Sequence, residues 1–365
     1  MGIITRLMTL VFILNASMTS VLPNSQNNKT FDAFFKLDKK IIINTDNLEV
    51  GGLREVIIDS NDHLIFLDPS GCQVLVFNQE GEFLNRIGGK GEGPGEFVLP
   101  LTMGKNSKGN LYISDSRMRR INQYNQDGAF VFSFFISPTH WPPSIVRIDS
   151  QKNLFMAGLK ADFENKGPGT WINKYHSSGK LEKSFLERNT EQAWLRSMFP
   201  SFCFDMDEKD NLYAIQINEY KFLKFDREGN PIESFGQAPK YFIEPDSKFR
   251  LDYSKYKTME ELREIMTELS QSWTRIVDLS VFQNNYLLLV LEANDLVDRI
   301  NEKYIMDIWD LDGHLIKDLI PTNYKYLCAD QKGYVYFLIF TDEEEALEKP
   351  PRYIIGKYLF QNHEK

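Results

Sequence analysis

Short runs of alternating apolar residues, separated by polar turns, recur along the chain from about Lys39 onward. One turn signature is an Asp or Asn, a few polar residues, then a β-prone run led by Leu or Val. It occurs at Asp59–Leu64, Asn106–Leu111, Asp149–Leu154, Asp207–Leu212 and Asp330–Val335, with a degenerate copy at Phe282–Leu287. A second signature follows five of these: an aromatic residue with Gly four positions later, at Phe77/Gly81, Tyr124/Gly128, Tyr175/Gly179, Phe225/Gly229 and Trp309/Gly313. Polar turn residues and Gly between apolar alternations specify hairpins. Each unit therefore reads as four strands joined by tight turns.

Successive Leu/Val markers lie about 40–50 residues apart, stretched by insertions before Leu212 and Leu287. A four-stranded unit of that length cannot bury both faces alone, so the units must stack around an axis. The pattern predicts an all-β chain: a six-bladed β-propeller of four-stranded antiparallel blades, in one domain over residues 39–361. The last unit lacks its outer strand. Lys39–Thr45 is strongly β-prone and is expected to pair with Tyr353–Phe360, which closes the ring and removes an exposed edge.

The longest insertion, residues 238–273, falls between blades 4 and 5. Thr258-Met-Glu-Glu261 fits a capping box, and Met259, Leu262, Ile265, Met266 and Leu269 recur at helical spacing. These predict a helix over Thr258–Ser272. A second short helix is expected at Thr190–Ser197.

Residues 1–20 carry one positive charge, Arg6, an apolar run and then small polar residues, the layout of a secretory signal peptide. Residues 21–38 read as a polar N-terminal segment and 362–365 as a tail. No later stretch is apolar for long enough to span a bilayer, so an exported chain, periplasmic or extracellular, is expected. With 42 Lys+Arg against 51 Asp+Glu, the net charge of −9 argues against nucleic acid as partner. The 3 cysteines, Cys72, Cys203 and Cys328, form no CxxC pair and read as free thiols.

The run Ile87–Phe97 (IGGKGEGPGEF), then Leu99-Pro100, Gly109–Asp115 and Arg120–Tyr124, resembles one NHL-type repeat. The chain as a whole is similar to exported six-bladed propellers of the Bacteroidetes. That resemblance implies a binding scaffold, a sensor domain, an RNA-binding module or a lyase, so fold does not settle function. It also implies that a propeller lactonase would hold a divalent cation, with calcium the natural candidate, through channel Glu, Asn and Asp. Glu55 and Asp278 could contribute to such a site.

Ligands of propellers enter at the channel mouth, where the inter-blade connections meet the starts of the inner strands. Arg54, Glu55, His140, Trp141, Arg196, Trp273, Arg275 and Tyr324 are the candidate ligand-binding residues there. Arginines can grip an anion in bidentate fashion, and aromatic rings can stack on a sugar. A small molecule, a glycan or a protein would each suit such a mouth. Of the 5 histidines only His140 approaches it, which disfavours a zinc site. The glycines of Gly88–Gly95 are not followed by the Lys-Ser/Thr and helix of a phosphate loop, and read as an inter-blade connection. No catalytic set is identifiable. The leading expectation is a binding propeller without cofactor, and the alternative is a metal-dependent lactonase or lyase of propeller type.

Overall fold

The computed structural model describes residues 29–45, 48–160, 169–187, 202–216, 219–244, 258, 260–261, 264–265, 272–292, 302–339 and 353–361. They build six four-stranded antiparallel sheets. Blade 1 is β2 (Glu55–Ile58), β3 (Leu64–Asp68), β4 (Gln73–Phe77) and β5 (Phe83–Ile87). Blade 2 is β6 (Pro100–Lys105), β7 (Leu111–Asp115), β8 (Arg120–Tyr124) and β9 (Phe130–Phe135). Blade 3 is β10 (Ile145–Ile148), β11 (Leu154–Lys160), β12 (Thr170–Tyr175) and β13 (Leu181–Glu187). Blade 4 is β14 (Phe202–Met206), β15 (Leu212–Gln216), β16 (Phe222–Phe225) and β17 (Pro231–Phe235). Blade 5 is β18 (Arg275–Phe282), β19 (Tyr286–Glu292), β20 (Tyr304–Asp310) and β21 (Leu315–Thr322). Blade 6 takes β22 (Lys325–Ala329), β23 (Tyr334–Ile339) and β24 (Tyr353–Phe360) from the end of the chain and β1 (Phe35–Ile43) from its beginning.

The predicted closure is present, and it is longer than the sequence suggested. β1 starts at Phe35 and pairs along β24 from Phe35↔Phe360 to Ile43↔Tyr353. A short helix, α1 (Lys29–Phe34), precedes it. Its Phe31 is buried against Phe35, Phe337, Tyr358 and Tyr324, so part of the segment read as polar is an aromatic plug over blade 6. Six inner strands, β2, β6, β10, β14, β18 and β22, pack in succession, and β22 packs back on β2. That is a closed ring.

The turns explain the repeat signatures. Asp59 Oδ1 accepts the N–H groups of Asn61 and His63, both at 2.8 Å. Asn106, Asp149, Asp207 and Asp330 do the same two and four residues ahead. So do Asn78, Asn125, Asp226 and Asp310, each immediately after the aromatic of the second signature. A short side-chain acceptor holds the turn so that two strands leave it in register. The Gly that follows has a second task. At Gly179, φ is +86° and an added Cβ would lie 2.5 Å from Cγ of Phe134 on the outer strand of blade 2. Gly81, Gly128, Gly229 and Gly313 press on the preceding blade in the same way.

Aromatic side chains fill the seams. Between blades 4 and 5, Phe222 stacks on Phe235 with centroids 5.0 Å apart, and Trp309 lies against both. Below them, Asp307 is fully buried and accepts from Tyr241 (2.7 Å), from Tyr220 and from the N–H of Leu319 (2.9 Å). Three donors satisfy a carboxyl that burial pushes up to about 6.

The helical insertion between blades 4 and 5 is not shown. Most of it lies outside the described residues, as do Thr190–Ser197 and the candidate signal segment. At the start of the predicted helix, the Thr258 N–H donates to Glu261 Oε2 and the Glu261 N–H to Thr258 Oγ1, both at 3.1 Å, as a capping box requires. Among the described residues α1 is the only uninterrupted helix. None there is long and apolar enough to cross a membrane.

Candidate functional site: the channel and its mouth

Strand direction alternates within a blade, so the two faces of the ring differ. One face carries the Asx-type turns, whose polar groups bond to one another. The other carries the inter-blade connections and the joins between second and third strands. Those joins are tight in blades 1 and 2 (69–72 and 116–119) and longer in blades 5 and 6 (293–303 and 340–352). The second face is the mouth.

Inside the ring, one polar or charged side chain from each inner strand converges: Glu55, Lys105, Arg147, Asp205, Asp278 and Cys328, from blades 1 to 6 in order. Arg147 Nε donates to Asp205 Oδ1 at 2.6 Å, and Asp205 Oδ2 accepts the Val281 N–H of blade 5 at 2.8 Å. Glu55 accepts the Met103 N–H at 2.9 Å and the Thr102 hydroxyl at 3.3 Å, tying blade 1 to blade 2. Tyr326 donates to Ser280 Oγ at 2.6 Å, tying blade 6 to blade 5. These side chains are walled in by protein yet keep some surface: Arg147 is 29% exposed and Asp205 17%. The wall is deep and wettable.

The electrostatics follow from that placement. Burial works against the charge of Arg147, but contact with Asp205 and the fields of Glu55 and Asp278 outweigh it and raise its pKa. Burial pushes Asp278 up to about 7; Arg147 pulls it down, while Asp205 and Glu55 push it further up. Burial raises Glu55, against the pull of Arg147 and its two hydrogen bonds. Burial lowers Lys105. It also drives the Cys328 thiol well up, so that thiol is no ready nucleophile. The channel thus holds a guanidinium and three carboxyl groups, one of which burial brings up to about 7.

The residues expected at the mouth separate into groups. Arg54 and Glu55 stand together where the chain enters β2, Arg54 exposed and Glu55 turned into the channel. Arg275 opens β18 and is hydrogen-bonded to Glu292, its register partner on β19. Trp141 is 36% exposed on the connection between blades 2 and 3. His140 beside it is 2% exposed; its ring is hydrogen-bonded to the Tyr175 hydroxyl, and burial lowers it to about 4. It packs the seam between blades 2 and 3. Trp273 is buried, and Tyr324 lies in the aromatic cluster with Phe31 and Tyr358. Arg196 lies outside the described residues.

Sequence reasoning missed Lys105, Arg147 and Asp205 in the channel, and Lys303 at the mouth. A signal existed for the channel set. Counting two residues back from the turn acid gives Arg147, Asp205 and Cys328, and the alternation of an inner strand places such positions on one face.

Other candidates resolve as structural. Arg120 donates to the carbonyls of Glu92, Gly93 and Glu96, and the Tyr124 hydroxyl to that of Gly95. The Gly88–Gly95 connection therefore offers carbonyls to a guanidinium, whereas a phosphate loop offers N–H groups. Asp115 accepts the N–H groups of Val98, Leu99 and Met118. His63, His176 and His314 sit in turns on the opposite face. Among the described residues, no three His, Cys, Asp or Glu side chains converge as a metal site. Cys72 and Cys203 are buried free thiols, and Cys328 is half-buried and free.

Residues 15–139 match a family model described as a 6-bladed beta-propeller. A candidate exported protein of Bacteroides fragilis superposes with a TM-score of 0.62 at 16% identity, covering 90% of this chain and 96% of its own. A DUF4221-family protein of Bacteroides vulgatus gives 0.64 at 14% identity, over 90% and 98%. Virginiamycin B lyase of Staphylococcus aureus gives 0.50 at 11%, over 90% and 89%. No curated protein matches by sequence. The chain is a six-bladed β-propeller. At these identities the structural likenesses show the fold alone.

Proposed function

We propose that the protein is an exported, non-catalytic propeller that binds a small molecule, a glycan or a protein segment at the channel mouth. The observation that carries this reading is the contrast between the two faces. The turn face is built of short loops whose polar groups are consumed by their own hydrogen bonds. The mouth face opens onto a wall with a polar or charged group from every inner strand. Binding sites concentrate on loops positioned by a rigid scaffold. Export is supported by the signal-like segment at 1–20 and by the exported description of the Bacteroides fragilis neighbour. The likeness of Ile87–Tyr124 to an NHL-type repeat fits the same reading.

A propeller lactonase or lyase needs a cation or a positioned base in the channel. Glu55 and Asp205 instead hold backbone N–H groups and Arg147, Asp278 lies in the field of that same guanidinium, and the described histidines stand elsewhere. The binding reading is therefore preferred. A thermal-shift screen of sugars, peptides and small metabolites tests it on wild type and on a Trp141→Ala/Arg275→Ala double variant. The expected hit stabilises wild type and loses most of its shift in the variant. A hit that shifts both equally contradicts the mouth assignment.

A further inference from the structure

Four cations meet at one arc of the mouth. Lys325 is the first residue of β22, Arg275 the first of β18, Lys303 directly precedes β20, and Arg54 directly precedes β2. By strand direction all four lie on the mouth face, in blades 5, 6 and 1. Their backbones are tied together there. The Lys303 N–H donates to Asn323 Oδ1 at 2.9 Å, two residues before Lys325, and β22 packs on β2, which Arg54 leads into. Two acids act on the group among the described residues, Glu55 on Arg54 and Glu292 on the blade 5 pair. Glu292 is hydrogen-bonded to Arg275 and lies 3.7 Å from the Lys303 ammonium. Lys303 also stands 5.5 Å from the Tyr304 ring centroid.

Lys325 is the odd member. Lys325 is half-buried, and among the described residues the charged groups that act on its ammonium are Lys303 and Arg54, both cations. Burial and these neighbours lower its pKa, and Arg275 acts likewise on Lys303 after burial. A desolvated ammonium beside like charges is unfavourable unless an anion compensates it. An arginine and two lysines that act on one another in this way, among the described residues, can form an electrostatic trap for an oxyanion.

We propose that the mouth beside Lys325 is an anion site that takes the carboxylate, sulfate or phosphate group of the ligand. This rests on the mouth-binding reading and narrows it to ligands with an acidic group. Lys325 and Lys303 supply charge, and Arg54 flanks them at the channel entrance. The neutral body of the ligand then extends toward the exposed Trp141 or into the channel.

The test is isothermal titration of the full chain with a uronic acid, inorganic sulfate and inorganic phosphate, each at constant ionic strength against chloride. The three arms separate carboxylate from sulfate from phosphate sources. At least one is expected to bind saturably, weakened at least tenfold by Lys325→Met and several-fold by Lys303→Met. Lys108→Met, on the turn face, should leave binding unchanged. Lys303→Met keeps the test open if Lys325→Met fails to fold. Absence of saturable binding by all three, or equal affinity in the lysine variants, overturns the proposal. A neutral ligand that binds at the mouth regardless of Lys325→Met defeats the anion site and leaves the mouth reading standing. A ligand that protects only the turn face defeats both.

Discussion

The guanidinium of Arg147 and the carboxylate of Asp205 meet at 2.6 Å across the seam between blades 3 and 4, inside the channel. Asp205 also holds the Val281 N–H of blade 5, so one side chain ties three blades. Asp205→Ala leaves a guanidinium and an N–H without their partner. Breaking a buried pair from one side costs about 3–5 kcal/mol. Residual solvent access to Arg147 reduces that here to about 2–3 kcal/mol. Chemical denaturation checks it, and the Arg147→Met/Asp205→Ala double variant should recover part of the loss.

Asp278 makes stability depend on pH. Its carboxyl is pushed up to about 7 in the folded chain from an ordinary value of 3.8. Between those values the folded state keeps a proton that the unfolded state has released. Its contribution therefore favours folding least above pH 7 and ceases to penalise it below about 4. Asp278→Asn should melt higher than wild type at pH 8, by at most about 4 kcal/mol in stability at 1.36 kcal/mol per unit. Any solvent screening of Asp278 makes the gap smaller. The two proteins should converge at pH 4. A constant gap across that range contradicts the assignment.

Closure by β1 predicts a cooperative whole. Removing Lys29–Ile43 strips the outer strand from β24 and uncovers the aromatic cluster of Phe337 and Tyr358. The single melting transition should broaden or split. Phe31→Ala is the milder form, with a cost of about 3–4 kcal/mol for a buried ring. An unchanged melting curve in the deletion contradicts closure.

Two glycines of similar φ should respond differently. Gly179→Ala combines left-handed strain with a Cβ 2.5 Å from Phe134 Cγ. Strain of about 1–2 kcal/mol and overpacking of about 1–3 kcal/mol predict a loss of about 2–4 kcal/mol. Gly109, at φ +80°, has Gln126 Cβ as its nearest neighbour at 3.5 Å. Gly109→Ala should cost only the strain, about 1–2 kcal/mol. Comparable losses in both would deny the seam role of Gly179.

The architecture was legible because turns are specified locally. Asp59 and Asn78 choose their own turns with their own side chains, and the repeat of that choice gives blade number and order. The ends of β1 were less legible. Phe31 and Phe35 are separated by Asp32, Ala33 and Phe34 with no strand alternation, and only the packing of blade 6 reveals that both are buried. The channel was hidden for the opposite reason. Repeat reading looks for sameness, whereas Glu55, Lys105, Arg147, Asp205, Asp278 and Cys328 are positions where the blades differ. His140 and Tyr324 show the reverse error. Long connections need anchors of their own, and an aromatic that anchors a loop looks in sequence like one that awaits a ligand.

Amide hydrogen exchange on the full chain, with and without the first ligand found, tests the mouth assignment most directly. Protection is predicted at the entries to β2, β18 and β22 and in the connections beside them. Protection confined to the turns at 59–63, 106–110, 149–153 and 207–211, with none at those strand entries, would contradict it.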